Sequence, residues 1–146
     1  MNNPNHIYME GYLLKEGYRI KSWRNRWFVV KRHLVQYYSK KAGTLKGEIH
    51  TLGAIIKVCE PQERKLEHCF KIETSSDNNR TWYIQVPSIK SSSSSKLQEH
   101  ANEYMHKWIN AIVTHGGATY QQSSNASTVS NASSNSALSS LVVGED

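Results

Sequence analysis

Short apolar runs, rich in β-branched and aromatic residues and separated by polar turns, recur along the first 86 positions of the chain. That composition favours strands over helices. The runs predict strands at 8–15, 24–32, 34–39, 45–50, 54–59, 68–74 and 80–86. Residues 16–23 form a loop carrying Tyr18, Arg19, Ile20 and Lys21. The link at Lys31, Arg32 and His33 is short enough to make its two strands an antiparallel hairpin. Lys40 to Gly43 is a basic turn, Pro61 to Lys65 a polar loop, and Ser75 to Asn79 a cluster of turn formers. Seven short strands with regular turn signals indicate an antiparallel sandwich or barrel.

The pattern changes after Pro87. Ser91 to Ser95 reads as a flexible loop extension. Ser95 then suits a helix N-cap, with Gln98 completing a capping box. Leu97, Ala101, Tyr104, Met105, Trp108, Ile109 and Ile112 follow at intervals that place them on one helical stripe. Gly116 and Gly117 end it. The expected organisation is a loose arm at 1–7, a folded domain at 8–115 and a disordered Ser/Asn-rich tail at 116–146. About 115 folded residues suffice for a single core.

Alternation on the second strand puts Arg24, Arg26, Phe28 and Val30 on one face, and Trp27 and Val29 on the other. Phe28 and Val30 suit the core, so the two arginines line its open end. Guanidinium groups at strand spacing make a poor structural element. They make a good cradle for an oxygen-rich anion, because each donates two parallel hydrogen bonds to a phosphate. The alternative for these arginines is pairing with Glu10, Glu16 or Glu48.

Charge sharpens this picture. Residues 1–60 hold eleven Lys/Arg against four Asp/Glu, residues 61–115 hold seven against six, and the tail holds only Glu145 and Asp146. The excess therefore sits around the first strands, a field that attracts membranes, nucleic acids or acidic partners. Cys59 and Cys69 read as reduced thiols packed as small hydrophobes, with no zinc spacing around them. The seven histidines are scattered, and His106 and His115 fall off the apolar helix stripe. No nucleophile elbow, metal spacing or phosphate-binding loop points to an enzyme. No stretch approaches the ~20 apolar residues of a membrane span. The polar start, Met1 to Ile7, carries no secretory pattern, and a cytoplasmic protein is expected.

Gly11, Tyr12, Leu13, Leu14 and Lys15, the loop after them, the run Trp23 to Phe28, and Tyr37 with Tyr38 together resemble the start of a pleckstrin homology (PH) domain. Lys15, Arg24, Arg26, Trp27 and Phe28 are similar to the pattern of the subgroup that binds 3-phosphorylated inositol lipids. The resemblance covers roughly residues 8–115. It implies a mainly β fold: a seven-stranded bent antiparallel barrel capped by one C-terminal α-helix, with Trp108 as the helix's core tryptophan. It implies no enzyme activity, cofactor or metal. It also implies a headgroup site in the first three strands and their loops. By position, Lys15, Arg19, Arg24, Arg26, Tyr38 and Lys46 match the family's phosphate-contacting residues. Ile20 matches an apolar loop residue, and with Tyr18 it is expected to enter the membrane interface.

The function so implied is recruitment from the cytoplasm to the plasma membrane, peripherally, by phosphatidylinositol 3,4,5-trisphosphate or 3,4-bisphosphate, with an anionic leaflet assisting and a protein partner engaged through the tail. The alternative is a PH-fold protein–protein adaptor with weak, nonspecific attraction to anionic membranes. A nucleic-acid face, suggested by Trp23, Trp27, Tyr37 and Tyr38 among basic residues, is disfavoured because barrel packing explains Trp27. The sixth-to-seventh turn is short and lacks the insert from which some relatives draw extra contacts. Glu48 places a carboxylate near the site.

Overall fold

Among the described residues, eight strands and one helix form in the order β1 (Met9–Glu16), β2 (Trp23–Lys31), β3 (Leu34–Tyr38), β4 (Leu45–His50), β5 (Ile55–Val58), β6 (Cys69–Glu73), β7 (Thr81–Gln85), α1 (Ser95–Gly116) and β8 (Thr119–Tyr120). The computed structural model describes residues 3–60, 67–75, 79–87 and 95–122. All of the expected 61–65 loop, the middle of the 75–79 turn and the serine run at 91–94 lie outside the described residues, as does the tail from 123.

One sheet contains all eight strands, in the order β4-β3-β2-β1-β7-β6-β5-β8. β1 joins its two halves. It pairs with β2 from Met9↔Val30 to Glu16↔Trp23, and with β7 only at Leu14↔Gln85 and Lys15↔Ile84. His33 takes a φ of 60°, which lets the chain reverse within two residues and pairs Val30 with Val35 and Phe28 with Tyr37. One face of the sheet is thereby committed to the core. Leu13, Phe28, Val30, Val35 and Ile49 from one half meet Ile56, Phe70, Ile72 and Ile84 from the other.

The helix fills the space left between the halves. Met105, Trp108, Ile109 and Ile112 are buried, and Ala101 and Tyr104 pack at the margin. Trp108 is fully buried, with Phe28 and Tyr104 edge-on at 6.5 and 6.3 Å. Edge-to-face geometry brings the positive rim of one ring onto the negative face of another. From Ala101 to Ile112 the expected apolar stripe is therefore the packed face; the Leu97 side chain lies outside the described residues.

One expectation needs correction. The folded unit does not stop at 115. Gly117, at a φ of 75°, turns the chain back, Ala118 is buried, and Thr119–Tyr120 pairs parallel with β5 at Ile55 and Ile56. This eighth strand is held by the Thr119 and Gln121 amides, which donate to the Ala54 and Ile56 carbonyls at 2.9 and 2.8 Å. The Thr51 hydroxyl donates to the Gly116 carbonyl at 2.8 Å, satisfying a helix-end acceptor. His115, off the apolar stripe, is half-buried, with Tyr8 stacked on its imidazole at 3.8 Å.

Candidate anion-binding site

The β1–β2 register sets Lys15 opposite Arg24 and Leu13 opposite Arg26. Directly opposed residues of antiparallel strands share a face, so all three cations lie on the inward face where the core ends. Lys15 is the most enclosed, with only 8% of its surface exposed. Its Nζ lies 4.9 Å from the centre of the Tyr37 ring and donates to the Glu16 carbonyl at 3.3 Å. Arg24 is exposed, and Arg26 is half-buried with a guanidinium N–H donating to the Asn25 carbonyl at 3.0 Å.

Burial is the largest influence on the Lys15 ammonium, followed by repulsion from Arg80 and then Arg26. Together they hold its pKa down from 10.5 to about 8, against a smaller opposing pull from Glu16. Among the described residues neither Arg24 nor Arg26 forms an ion pair with a carboxylate; the ion pairs join Glu73 to Lys57 and Lys71 on the β5–β6 hairpin. Glu10 instead accepts from the Trp27 indole, and Glu48 from the Gln36 amide at 2.7 Å. Two of the three carboxylates considered as partners for the arginines, Glu10 and Glu48, are thus engaged elsewhere.

Arg80, just before β7, completes the cluster. Its guanidinium lies over the rings of Tyr18 at 4.4 Å and Trp82 at 4.3 Å, tying the β1–β2 loop to β7. The Arg80 Nε and Trp82 Nε1 hydrogens have no acceptor among the described residues. Both side chains border an open depression of about 610 Å³, together with Tyr18, Leu45, Lys46, Gly47, Glu48 and His50. Gly47 is required there, because a Cβ would collide with the Tyr37 hydroxyl and ring. Gly17 is required in the β1–β2 loop, where a Cβ would run into the Ile20 carbonyl. That loop closes through the Gly17 amide on the Ser22 carbonyl, and presents Tyr18, Arg19 and Ile20 outward, Ile20 being 71% exposed.

The structure therefore gathers Lys15, Arg24, Arg26, Lys46, Arg19 and the loop pair Tyr18 and Ile20 at one end of the sheet. It does not bring Tyr38 to them. Tyr38 pairs with Trp27 on the opposite face and donates its hydroxyl to Gln36 at 3.1 Å. Trp27 is also on that outer face, half-buried against Tyr12, with the Lys41 ammonium 5.4 Å above its ring. Two site residues escaped the sequence reading. Tyr37 was within reach of it, since a two-residue turn at Arg32 and His33 pairs Phe28, a core residue, with Tyr37. Arg80 looked like an ordinary strand start; only the β1–β7 pairing brings it beside Lys15.

Chemically, this is a donor-rich, acceptor-poor end of a rigid sheet, suited to holding a multivalent anion. Among the described residues no group of three or more His, Cys, Asp or Glu is placed to hold a metal ion, and no helix is long and apolar enough to cross a membrane.

Comparison with known proteins gives the family. The sequence profile of the PH domain family matches residues 7–115. Switch-associated protein 70 of Bos taurus is 43% identical over 44 residues, which are 30% of this chain and 8% of that protein. Its Gallus gallus counterpart is 41% identical over 90 residues, 55% of this chain and 15% of that protein. Among solved structures, the C-terminal PH domain of pleckstrin in complex with D-myo-Ins(1,2,3,4,5)P5 superposes with a TM-score of 0.53 at 26% identity, covering 75% of this chain and 98% of that one.

Proposed function

The chain belongs to the PH domain family, whose members bind phosphoinositides or mediate protein interactions, and from that premise we propose that it is a phosphoinositide-binding membrane-recruitment module. The headgroup is held by Lys15, Arg24, Arg26 and Arg80 with Lys46 and Arg19 at the rim, and the preferred lipids are phosphatidylinositol 3,4,5-trisphosphate and 3,4-bisphosphate. The observation that carries this reading is Lys15 itself. A buried ammonium beside two arginines, with its pKa driven down to about 8, is an unfavourable arrangement that a bound polyanion relieves. The inositol pentakisphosphate complex of the pleckstrin domain supports the ligand class. The preference for a 3-phosphate is supported by the resemblance of Lys15, Arg24, Arg26, Trp27 and Phe28 to the pattern of the PH subgroup that binds 3-phosphorylated inositol lipids.

Each hydrogen bond to a charged group contributes ~1.5–3 kcal/mol. Four or five such contacts, less the cost of immobilisation, support micromolar or tighter affinity. Attraction to an anionic leaflet adds ~1 kcal/mol per basic residue near the surface and orients the basic end toward it. Tyr18 and Ile20 then enter the interface. Titration calorimetry with soluble inositol 1,3,4,5-tetrakisphosphate and 1,4,5-trisphosphate tests the site. Tighter binding of the tetrakisphosphate, weakened at least tenfold by Arg80→Ala, is expected; equal affinities untouched by that change reject the proposal.

A further inference from the structure

Cys59 and Cys69 stand opposite each other at the end of the β5–β6 hairpin, one step past the Val58↔Phe70 pair. The Cys59 amide donates to the Cys69 carbonyl at 2.9 Å. A hydrogen-bonded antiparallel pair separates its Cα atoms by roughly 5.5 Å, within the roughly 4.4–6.8 Å that a disulfide spans. The two Sγ atoms are 3.0 Å apart, so about 1 Å of closure produces a bonded pair. The sulfurs are also unequal. Cys59 is half-exposed and Cys69 is only 2% exposed.

We propose that Cys59 and Cys69 form a redox-responsive dithiol, which a hydroperoxide converts into an internal disulfide across β5 and β6. The exposed Cys59 meets the oxidant. Its thiolate attacks one peroxide oxygen, the O–O bond breaks, and Cys59 becomes a sulfenic acid with loss of water or alcohol. The Cys69 sulfur then attacks the Cys59 sulfur, the S–O bond breaks, and water leaves. Two electrons pass from the sulfurs to the peroxide, and two thiol hydrogens end in the products. Burial makes Cys69 the resolving partner. Burial keeps the oxidant from Cys69, and its contact with Cys59 lets internal closure outrun attack on the Cys59 sulfenic acid by outside thiols. β5 also carries β8, paired at Ile55 and Ile56, so the bond fixes the strand on which β8 is held.

Stoichiometric hydrogen peroxide on the reduced full-length chain, read by intact mass and tryptic mapping, tests this. The expected product is a monomer lighter by ~2 Da with a Cys59–Cys69 cross-linked peptide, reversed by dithiothreitol. Its thermal midpoint should lie roughly 5–10 °C above that of the reduced form. Cys69→Ser should stop at a dimedone-trappable sulfenic acid on Cys59, and Cys59→Ser should resist the same dose. Sulfinic acid on Cys59 of the unaltered protein, intermolecular dimers in place of the internal bond, or a lowered midpoint overturns the proposal.

Discussion

Replacing Lys15 with methionine separates the stability of this fold from the function of its site. Methionine keeps an unbranched stem against the Tyr37 ring and removes the charge. The ammonium's pKa is held down from 10.5 to about 8, and each pKa unit is worth about 1.4 kcal/mol. Charging Lys15 in the folded, anion-free protein therefore costs on the order of 3 kcal/mol. The lost bond to the Glu16 carbonyl offsets about 1 kcal/mol of this. Lys15→Met should thus stabilise the protein by about 1–2 kcal/mol at pH 7 while weakening inositol phosphate binding at least tenfold.

The pH dependence has a definite sign. The folded pKa lies below the unfolded one, so between about pH 8 and 10.5 the unfolded chain binds more protons at this position. Stability then rises with pH across that window, and the penalty is fully present below pH 8. Urea denaturation at pH 7, 8, 9 and 10 measures this as the difference between parent and variant, which should shrink as pH rises. Binding of a polyanion should restore the proton, so calorimetry at pH 8.5 in buffers of different ionisation enthalpy should detect proton uptake in the parent alone. A variant destabilised by more than 1 kcal/mol at pH 7, with an unchanged pH profile, would refute the reasoning.

Trp108→Ala should cost ~3–5 kcal/mol in chemical denaturation, because a fully buried indole leaves a cavity that the sheet cannot collapse into. Gly47→Ala should cost ~1–3 kcal/mol, since its methyl group displaces the Tyr37 ring that underlies Lys15; headgroup titration should weaken in parallel. Ile20→Glu should abolish vesicle binding and leave soluble headgroup binding intact; equal loss of both would show that Ile20 acts through the site and not through the bilayer.

The strands and the helix were legible because their signals are local: β-branched and aromatic runs, Gly and Asn/Asp turns, and a helical stripe around Trp108. The shared face of Arg24 and Arg26 was legible for the same reason, because strand parity fixes which side chains lie together; Lys15 came from the PH resemblance, and the β1–β2 register sets it opposite Arg24. Tyr38 was misplaced by one residue, and a slip of one residue on a strand moves a side chain to the opposite face. Arg80 depends on the β1–β7 pairing, between strands distant in sequence, and the Cys59–Cys69 contact on the register of the β5–β6 hairpin; no local pattern records either. β8 escaped because Thr119 and Tyr120 are too few to show a period, and their pairing rests on backbone bonds to β5.

Vesicle co-sedimentation at physiological salt addresses the central claim most directly, comparing the parent with Arg26→Ala on vesicles of phosphatidylserine alone or with added 3,4,5-trisphosphate, 3,4-bisphosphate or 4,5-bisphosphate lipid. The cradle predicts selective binding to the two 3-phosphorylated lipids, lost in the variant. Weak, salt-sensitive binding that is equal on all four, and indifferent to Arg26, would contradict it and leave diffuse charge and protein contacts as the function of this surface.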